Sequence, residues 1–445
     1  MKTTKVVIIG GGTAGTTCAF ELRKLNKDIE IIILEESQYT QYSPCALPYV
    51  LSGEIKTFDN IFIFKKEDYT SNNIILNLNS KVIEIDKINK HIIYNKDNKK
   101  QKISYDKLII STGSYTVIPK IKGIENSNYF LLKDIKDAKE IANNIKPKSK
   151  SVIIGAGLIG IELAISLSKK GEKVDLVESQ ENILSSIFDN DMSNKLQENI
   201  QNNNLKIHTN AIIKEIKKDK ILLSDMEIKF DKLFLCTGVK SENKLAKKTK
   251  LDTNNGIIVN EYMQTSNKDI FACGDCVESI EFNTKDKIIS ALGTTAVRQA
   301  KIIAQNIIKK KNKFPAVMNN IVTKIDNIFI AIVGITTKKA NERNIQHVCA
   351  TYTGNVRAHY YSLKEKISIK LICNNKGIII GGQIIGHNEV VGRINLIALA
   401  IQKKCHIKEL IELETCYNPA SSPIFDPISI TAQICYKKLS FLNKK

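Results

Sequence analysis

The 445-residue chain sets 66 lysines and arginines against 46 aspartates and glutamates, a net charge of +20, with 43% hydrophobic and 25% charged residues. That balance describes a soluble globular protein with room for two to four domains, and apolar runs as short as Ile378-Ile379-Ile380 between glycines exclude a membrane-spanning helix. Clusters such as Lys309-Lys310-Lys311 are brief and carry no interleaved aromatic residues, so a nucleic-acid surface is not expected, although a few lysines would serve a phosphate-rich small molecule.

The ten cysteines are scattered without a framework, which suits free thiols in the cytoplasm. The six histidines show no ligand spacing, so no metal site is expected.

In chain order, the apolar run Val6-Val7-Ile8-Ile9 leads straight into Gly10-Gly11-Gly12-Thr13-Ala14-Gly15 and a helical stretch from Thr16 to Leu25. Four apolar residues are too few for a signal peptide. Glycine at 10 permits a tight turn, at 12 lets the backbone approach a pyrophosphate, and at 15 allows close helix packing. A second strand, Glu30 to Leu34, ends at Glu35, where a carboxylate accepts from ribose hydroxyls.

Next comes Ser43-Pro44-Cys45-Ala46-Leu47-Pro48-Tyr49, one cysteine between two prolines. Proline is tolerated only in the first turn of a helix, so Pro48 predicts a helix that begins at about Cys45 and runs through Tyr49-Val50-Leu51. The sulfur then stands at the positive end of the helix dipole, which favours thiolate and a nucleophile.

The opening pattern recurs. Ser151-Val152-Ile153-Ile154 leads into Gly155-Ala156-Gly157-Leu158-Ile159-Gly160, a helix to Lys170, and a strand from Val174 to Val177 ending at Glu178. The two halves close on matching signatures, Leu108 to Gly113 and Leu233 to Gly238, so two whole nucleotide-binding domains are expected. Glu178 is followed by Ser179-Gln180-Glu181, with no basic residue for a 2′-phosphate, and this favours NADH over NADPH.

Thr265 to Asp275 reads as a strand entering a glycine turn. Cys273-Gly274-Asp275-Cys276 has metal or redox spacing, but nothing nearby completes a site and the spacing is read as coincidence. From Pro315 onward the alternation of Ile367 to Ile372 and the glycines from 377 to 386 predict an antiparallel sheet, followed by helices at Arg393 to Lys403 and Ile407 to Leu413.

These motifs together resemble the FAD-dependent pyridine nucleotide-disulfide oxidoreductases over essentially the whole chain. The resemblance implies an α/β fold of two Rossmann-like domains plus a C-terminal α+β dimerisation domain. FAD would occupy the first glycine motif, with Gly10, Gly12, Thr13, Ala14, Gly15, Glu35, Ser43, Thr112 and Gly113. NADH would occupy the second, with Gly155, Gly157, Ile159, Gly160, Glu178 and Gly238, and with Glu162 near the nicotinamide. Gly274 and Asp275 would meet the flavin ribityl chain, and Thr295 and Ala296 the region of its ring. The implied domains are 1–119 with 242–314 for FAD, 120–241 for NAD, and 315–445 for dimerisation.

Reductases of the glutathione reductase type use two cysteines four residues apart, and Cys45 has no such partner. Cys-Ala-Leu-Pro-Tyr instead resembles the single-cysteine branch of coenzyme A disulfide reductases, persulfide reductases, NADH oxidases and peroxidases. Thr13 stands where the peroxidases and many oxidases carry histidine, which counts against peroxide chemistry. Arg357 to Tyr361 and Cys416 to Ser421 resemble stretches that lend tyrosines to a partner subunit's site, implying catalytic roles for Tyr361 and Tyr417 alongside Cys45 in a homodimer. Cys416 itself is read as structural. The expected reaction passes electrons from NADH through flavin to Cys45 and on to a small thiol-derived substrate such as coenzyme A disulfide or a persulfide. An NADH oxidase and a flavoprotein redox sensor are the alternatives.

Overall fold

The first apolar run is buried on both faces and becomes β1 (Lys5–Ile9), the middle strand of a parallel sheet in the computed structural model, which describes residues 3–97, 99–200, 203–309 and 311–442. The sheet runs Ile270–Ala272, Lys107–Ile110, β1, β2 (Glu30–Leu34) and Ile74–Asn77, all parallel. Such strands need apolar side chains on both faces because helices cover them. Here α1 (Thr13–Leu25) and the helix Gly293–Ile307 supply part of that cover, through Ala14, Cys18, Leu22, Ala296, Ala300 and Ile303.

A second parallel sheet repeats the plan in the order Leu205–His208, Lys173–Val177, Lys150–Ile154 and Lys232–Leu235, with the helix Leu158–Lys169 after its glycine turn. Each parallel sheet has a small three-stranded antiparallel sheet beside it in the chain, residues 80–104 for the first and 215–229 for the second. The chain leaves and re-enters the first domain along one ribbon, in which Ser114–Thr116 pairs antiparallel with Val239–Ser241.

The third unit is the expected antiparallel sheet, ordered Ile321–Ile325, Ile328–Gly334, Ile379–Gly386, Lys366–Asn374 and His347–Asn355. The helices Val390–Gln402, Ile407–Ile411 and Pro427–Leu442 share its core. The buried Asp189 fastens it to the second domain: its carboxylate accepts from Thr337 N at 3.0 Å and Gln383 Nε2 at 2.9 Å and pairs with the buried Lys370 at 3.1 Å.

The helix after the cysteine stretch, α2 (Leu47–Ser52), lies where all three units meet. Leu47 and Leu51 share one apolar cluster with Ile161 and Ile165 of the second domain and Ile325, Ile330 and Ile332 of the third. Packing against two rigid neighbours fixes where Cys45 sits, which a six-residue helix could not do alone. Among the described residues no helix is long and apolar enough to cross a membrane.

Candidate functional site

Both glycine turns are forced by sterics. Gly10 and Gly155 have φ of +97° and +101°, and a Cβ on either would lie about 2.5 Å or less from a backbone oxygen, that of Ser111 or of Cys236. A Cβ on Gly15 or Gly160 would come within 2.0 and 1.9 Å of the carbonyl oxygens of Gly10 and Gly155, so only glycine lets each helix start against its own turn. Gly12 and Gly157 differ in kind: a Cβ there would meet nothing within 4 Å, and each precedes a helix whose first turn has no side-chain cap. Open space over uncapped N–H groups at a helix start is what a pyrophosphate requires.

The acids that end the second strands are held alike. Glu35 accepts from Gly11 N at 2.6 Å and Ser37 N at 2.8 Å, while Glu178 accepts from Ala156 N at 2.8 Å and Gln180 N at 2.9 Å. Each carboxylate is thus locked against its glycine turn, in place for a ribose. The residues present fit a dinucleotide at both turns.

The first turn is closed over by chain from far downstream. Gly274 has φ +83°, and a Cβ there would lie 3.2 Å from that of Ala14 and 3.9 Å from that of Ala296; its N–H donates to Gln299 Oε1 at 2.8 Å. Asp275 accepts from Ser114 Oγ at 2.9 Å, and Lys133 Nζ donates to the same Ser114 hydroxyl at 2.8 Å. Thr295 accepts from Ser290 at 2.9 Å, and the Thr112 hydroxyl donates to Glu242 O at 2.6 Å. Ser43 takes its position through Ser43 N donating to Ile61 O at 2.9 Å. Gly113 and Gly238, with φ of +72° and +91°, end the matched strands with open space beside them, and Ile159 is exposed next to the second turn.

Cys45 departs from expectation in two ways. The helix does not start at the cysteine: Pro44–Ala46 forms a single 3-10 turn and α2 begins at Leu47, with Pro48 inside its first turn. Cys45 therefore lies within a single short 3-10 turn, whose dipole is weak. The thiol is also not held low by its protein surroundings. Partial desolvation, then the nearby carboxylates Glu162 and Asp275, push it above its ordinary value, with Lys133 pulling the other way. The side chain is nonetheless exposed.

Glu162 is the most altered acid of this region, pushed up to about 7 by burial. It projects from the helix Leu158–Lys169, and the hydroxyl of Thr323, on the first strand of the third unit, donates to it. Ser166, one turn later, donates to Pro48 O at 2.9 Å and ties that helix to α2. Burial together with Glu162 raises the phenol of Tyr49 as well.

The two C-terminal stretches meet within one chain, a contact the sequence did not predict. Arg357 Nε donates to Ala420 O at 2.8 Å, and the phenol of Tyr417 shares a 2.8 Å hydrogen bond with Tyr360, not with Tyr361. All three tyrosines are exposed on the single chain, as are Leu363, Ile424 and Phe425. Cys416 is exposed too. Cys273 and Cys276 are buried, and the Cys276 sulfur contacts the carbonyl oxygens of Cys273 and Ile110. Among the described residues no three His, Cys, Asp or Glu side chains gather in a metal-holding group.

Sequence reasoning missed Lys133, Ser114, Thr323, Gln299 and Tyr360. Ser114 directly follows the Thr112-Gly113 signature and was within reach. Tyr360 and Gln299 stand in or next to stretches already singled out for their neighbours, whereas Lys133 and Thr323 lie in stretches without a motif and only the fold brings them in.

Comparison with known proteins agrees with this geometry. Residues 4–300 match the family model described as pyridine nucleotide-disulphide oxidoreductase, and residues 322–427 match the dimerisation domain of the same family. An "NADH oxidase" of Methanocaldococcus jannaschii is 37% identical, the match covering 98% of this chain and 99% of that protein. An "NAD(P)H coenzyme A polysulfide/persulfide reductase" of Pyrococcus horikoshii is 28% identical, over 97% and 98% of the two chains. Among solved structures, a NAD-dependent persulfide reductase from A. fulgidus superposes with a TM-score of 0.94 at 29% identity, covering 99% of this chain and 84% of that one. The reduced CoADR-RHD of Bacillus anthracis superposes with a TM-score of 0.95 at 29% identity, over 99% and 81%.

Proposed function

The chain belongs to the pyridine nucleotide-disulphide oxidoreductases, FAD-dependent enzymes that draw electrons from NAD(P)H, and we propose that it uses NADH to reduce a low-molecular-weight disulfide or persulfide, of the coenzyme A kind, at Cys45. One observation carries the reading: a single exposed cysteine stands at the junction of two nucleotide folds and a third domain, with no second cysteine at the dithiol spacing. The persulfide reductase and CoADR relatives support this substrate class. The NADH oxidase relative, at 37% identity, supports oxygen as the competing acceptor.

FAD bound at the first turn would supply the two-electron link between nicotinamide and sulfur. The chain's own residues do the positioning. The N–H groups beyond Gly12 and Gly157 hold phosphates, Glu35 and Glu178 hold riboses, and Glu178 repels a 2′-phosphate. Cys45 is the nucleophile that takes the substrate sulfur into a mixed disulfide and releases a thiolate. Glu162, protonated up to about pH 7, keeps a second negative charge away from the sulfur at and below neutrality.

The exposed tyrosines and apolar residues of the third unit support a homodimer in which Tyr361 and Tyr417 of one subunit serve Cys45 of the other. The ribbon of residues 114–116 and 239–241 supports the boundaries 1–119 with 242–314 for the FAD domain, 120–241 for the NAD domain and 315–445 for dimerisation. Ten free thiols support a cytoplasmic location.

The test is NADH consumption against coenzyme A disulfide, coenzyme A persulfide, polysulfide, peroxide and oxygen. Fastest turnover with oxygen, and none above it with any sulfur compound, would replace the proposal with the oxidase. Sharing of sites is checked by mixing a Cys45→Ser subunit with a Tyr361→Phe, Tyr417→Phe subunit. Recovered activity is expected, and none despite verified exchange would remove the shared site.

A further inference from the structure

Two thiols that no sequence spacing connects lie against each other in the third unit. Cys373, on the strand Lys366–Asn374, and Cys435, on the helix Pro427–Leu442, are both fully buried, and their Sγ atoms are 3.5 Å apart. The Cys435 sulfur also lies 3.8 Å from Val348 O on the neighbouring strand. The contrast with Cys273 and Cys276 is instructive. That pair has redox spacing, yet the Cys276 sulfur is directed at carbonyl oxygens 3.2 and 3.5 Å away.

We propose that Cys373 and Cys435 are a peroxide-sensitive thiol pair that closes to a disulfide, stapling the C-terminal helix to the dimerisation-domain sheet. A disulfide needs its sulfurs about 2.0 Å apart, so they must approach by about 1.5 Å, a movement shared between two side chains. The pair is chemically unequal. The hydrogen bond between the two sulfurs lowers Cys435 and raises Cys373, and Lys438, one turn further along the helix, assists the lowering. Cys435 is accordingly the attacking thiolate and Cys373 the proton holder. The Cys435 thiolate attacks hydrogen peroxide, forming a sulfenic acid and releasing hydroxide. The Cys373 sulfur then attacks that sulfenic sulfur, its proton leaves with the departing oxygen as water, and the S–S bond forms. The hydroxide takes up the proton that Cys435 gave up on ionising, so two thiols lose two electrons and one peroxide becomes two waters.

Closure spans a separation of 62 residues and encloses the stretch that carries Tyr417. A cross-link over so long a segment removes much freedom from the unfolded chain.

The experiment treats the full-length FAD-loaded protein with hydrogen peroxide, blocks remaining thiols with N-ethylmaleimide in denaturant, and maps peptides without reduction. A cross-linked pair containing Cys373 and Cys435, lighter than its two free-thiol peptides by two hydrogens and released by dithiothreitol, is expected. The oxidised protein should also melt several degrees higher than the reduced one. Cys435→Ala and Cys373→Ala should each abolish both the cross-link and the reducible rise in Tm. Recovery of both residues as maleimide adducts, after an exposure that fully oxidises Cys45, would overturn the proposal. So would a reducible rise in Tm that persists in both variants.

Discussion

The two glycine turns are close copies up to their second acids and part company in what packs against them. At the first, Gly274 and Ala296 return from far along the chain to close over Ala14, and Asp275 is hydrogen-bonded into the linker through Ser114. At the second the cover among the described residues is local, Leu184 N donating to Ala156 O at 2.9 Å; its helix lends Glu162 to the neighbourhood of Cys45 and is pinned by Thr323 and by Ser166 against Pro48. A fingerprint therefore specifies a phosphate cradle, while the elements laid over it decide whether the bound nucleotide is enclosed or exchanged. An enclosed first site suits a resident cofactor, and an open second site suits a co-substrate that must leave each cycle.

The most severe way to separate these roles is to remove the sulfur between them. Cys45→Ser should cut disulfide turnover by on the order of 10⁴, while bleaching of the flavin by NADH, followed in a stopped-flow spectrometer, stays within a few-fold of wild type. Near wild-type disulfide turnover would make the cysteine stretch a packing element.

Next come the helix-start glycines. Gly15→Ala and Gly160→Ala each place a methyl group at about 2 Å from a carbonyl oxygen, a strain of about 1–3 kcal/mol. If the enclosed and open sites differ as described, Gly15→Ala loses flavin absorbance on gel filtration. Gly160→Ala remains yellow and raises the KM for NADH by about tenfold or more. Identical phenotypes would erase the distinction.

A smaller effect is expected at the second acid. Glu178→Ala removes the carboxylate that repels a 2′-phosphate, and the ratio of kcat/KM for NADH over NADPH should fall by about tenfold. An unchanged ratio would place cofactor choice elsewhere.

The subtlest is titration of Glu162. Its folded value, about 7, lies above its ordinary 4.5, so its contribution to stability is fully present below about pH 4.5 and is lost as pH rises through about 7. Glu162→Gln should therefore gain in Tm relative to wild type between pH 5 and pH 8. Because the anion raises Cys45, the same variant should show a lower pH midpoint for iodoacetamide alkylation of Cys45. A rise in that midpoint would reverse the assigned interaction.

Much of the architecture was legible because it is written in local rules. Val6 to Gly15 and Val152 to Gly160 fix strand, turn and helix within ten residues by sterics alone, and the alternation around Ile367 to Ile372 fixes a pleated strand. The active-site surroundings were less legible. The placement of the helix at Leu47 rather than Cys45 turns on a 3-10 turn that Pro44 and Pro48 both permit, and proline rules do not choose between them. That Glu162 would answer to Thr323, or Tyr417 to Tyr360, depends on contacts across some 160 and 57 residues. Which of two adjacent exposed tyrosines meets Tyr417 is set by loop geometry, not by periodicity.

The ribbon that joins Ser114–Thr116 to Val239–Ser241 has a consequence for how the protein is made. Everything between its two strands is an insertion, and the strand that completes the first sheet, Ile270–Ala272, pairs with Lys107–Ile110 only after that insertion has been synthesised. Contacts of such long sequence separation form late, because the loop entropy must be met first. On a ribosome the second parallel sheet, whose strands span residues 150–235, has all its pieces before the first does. In pulse-labelled hydrogen exchange during refolding, the amides of Ile153 and Leu176 should gain protection ahead of those of Ile109 and Phe271. The domain begun first is the one finished second, and until then its exposed edge along Lys107–Ile110 is where misassembly would start.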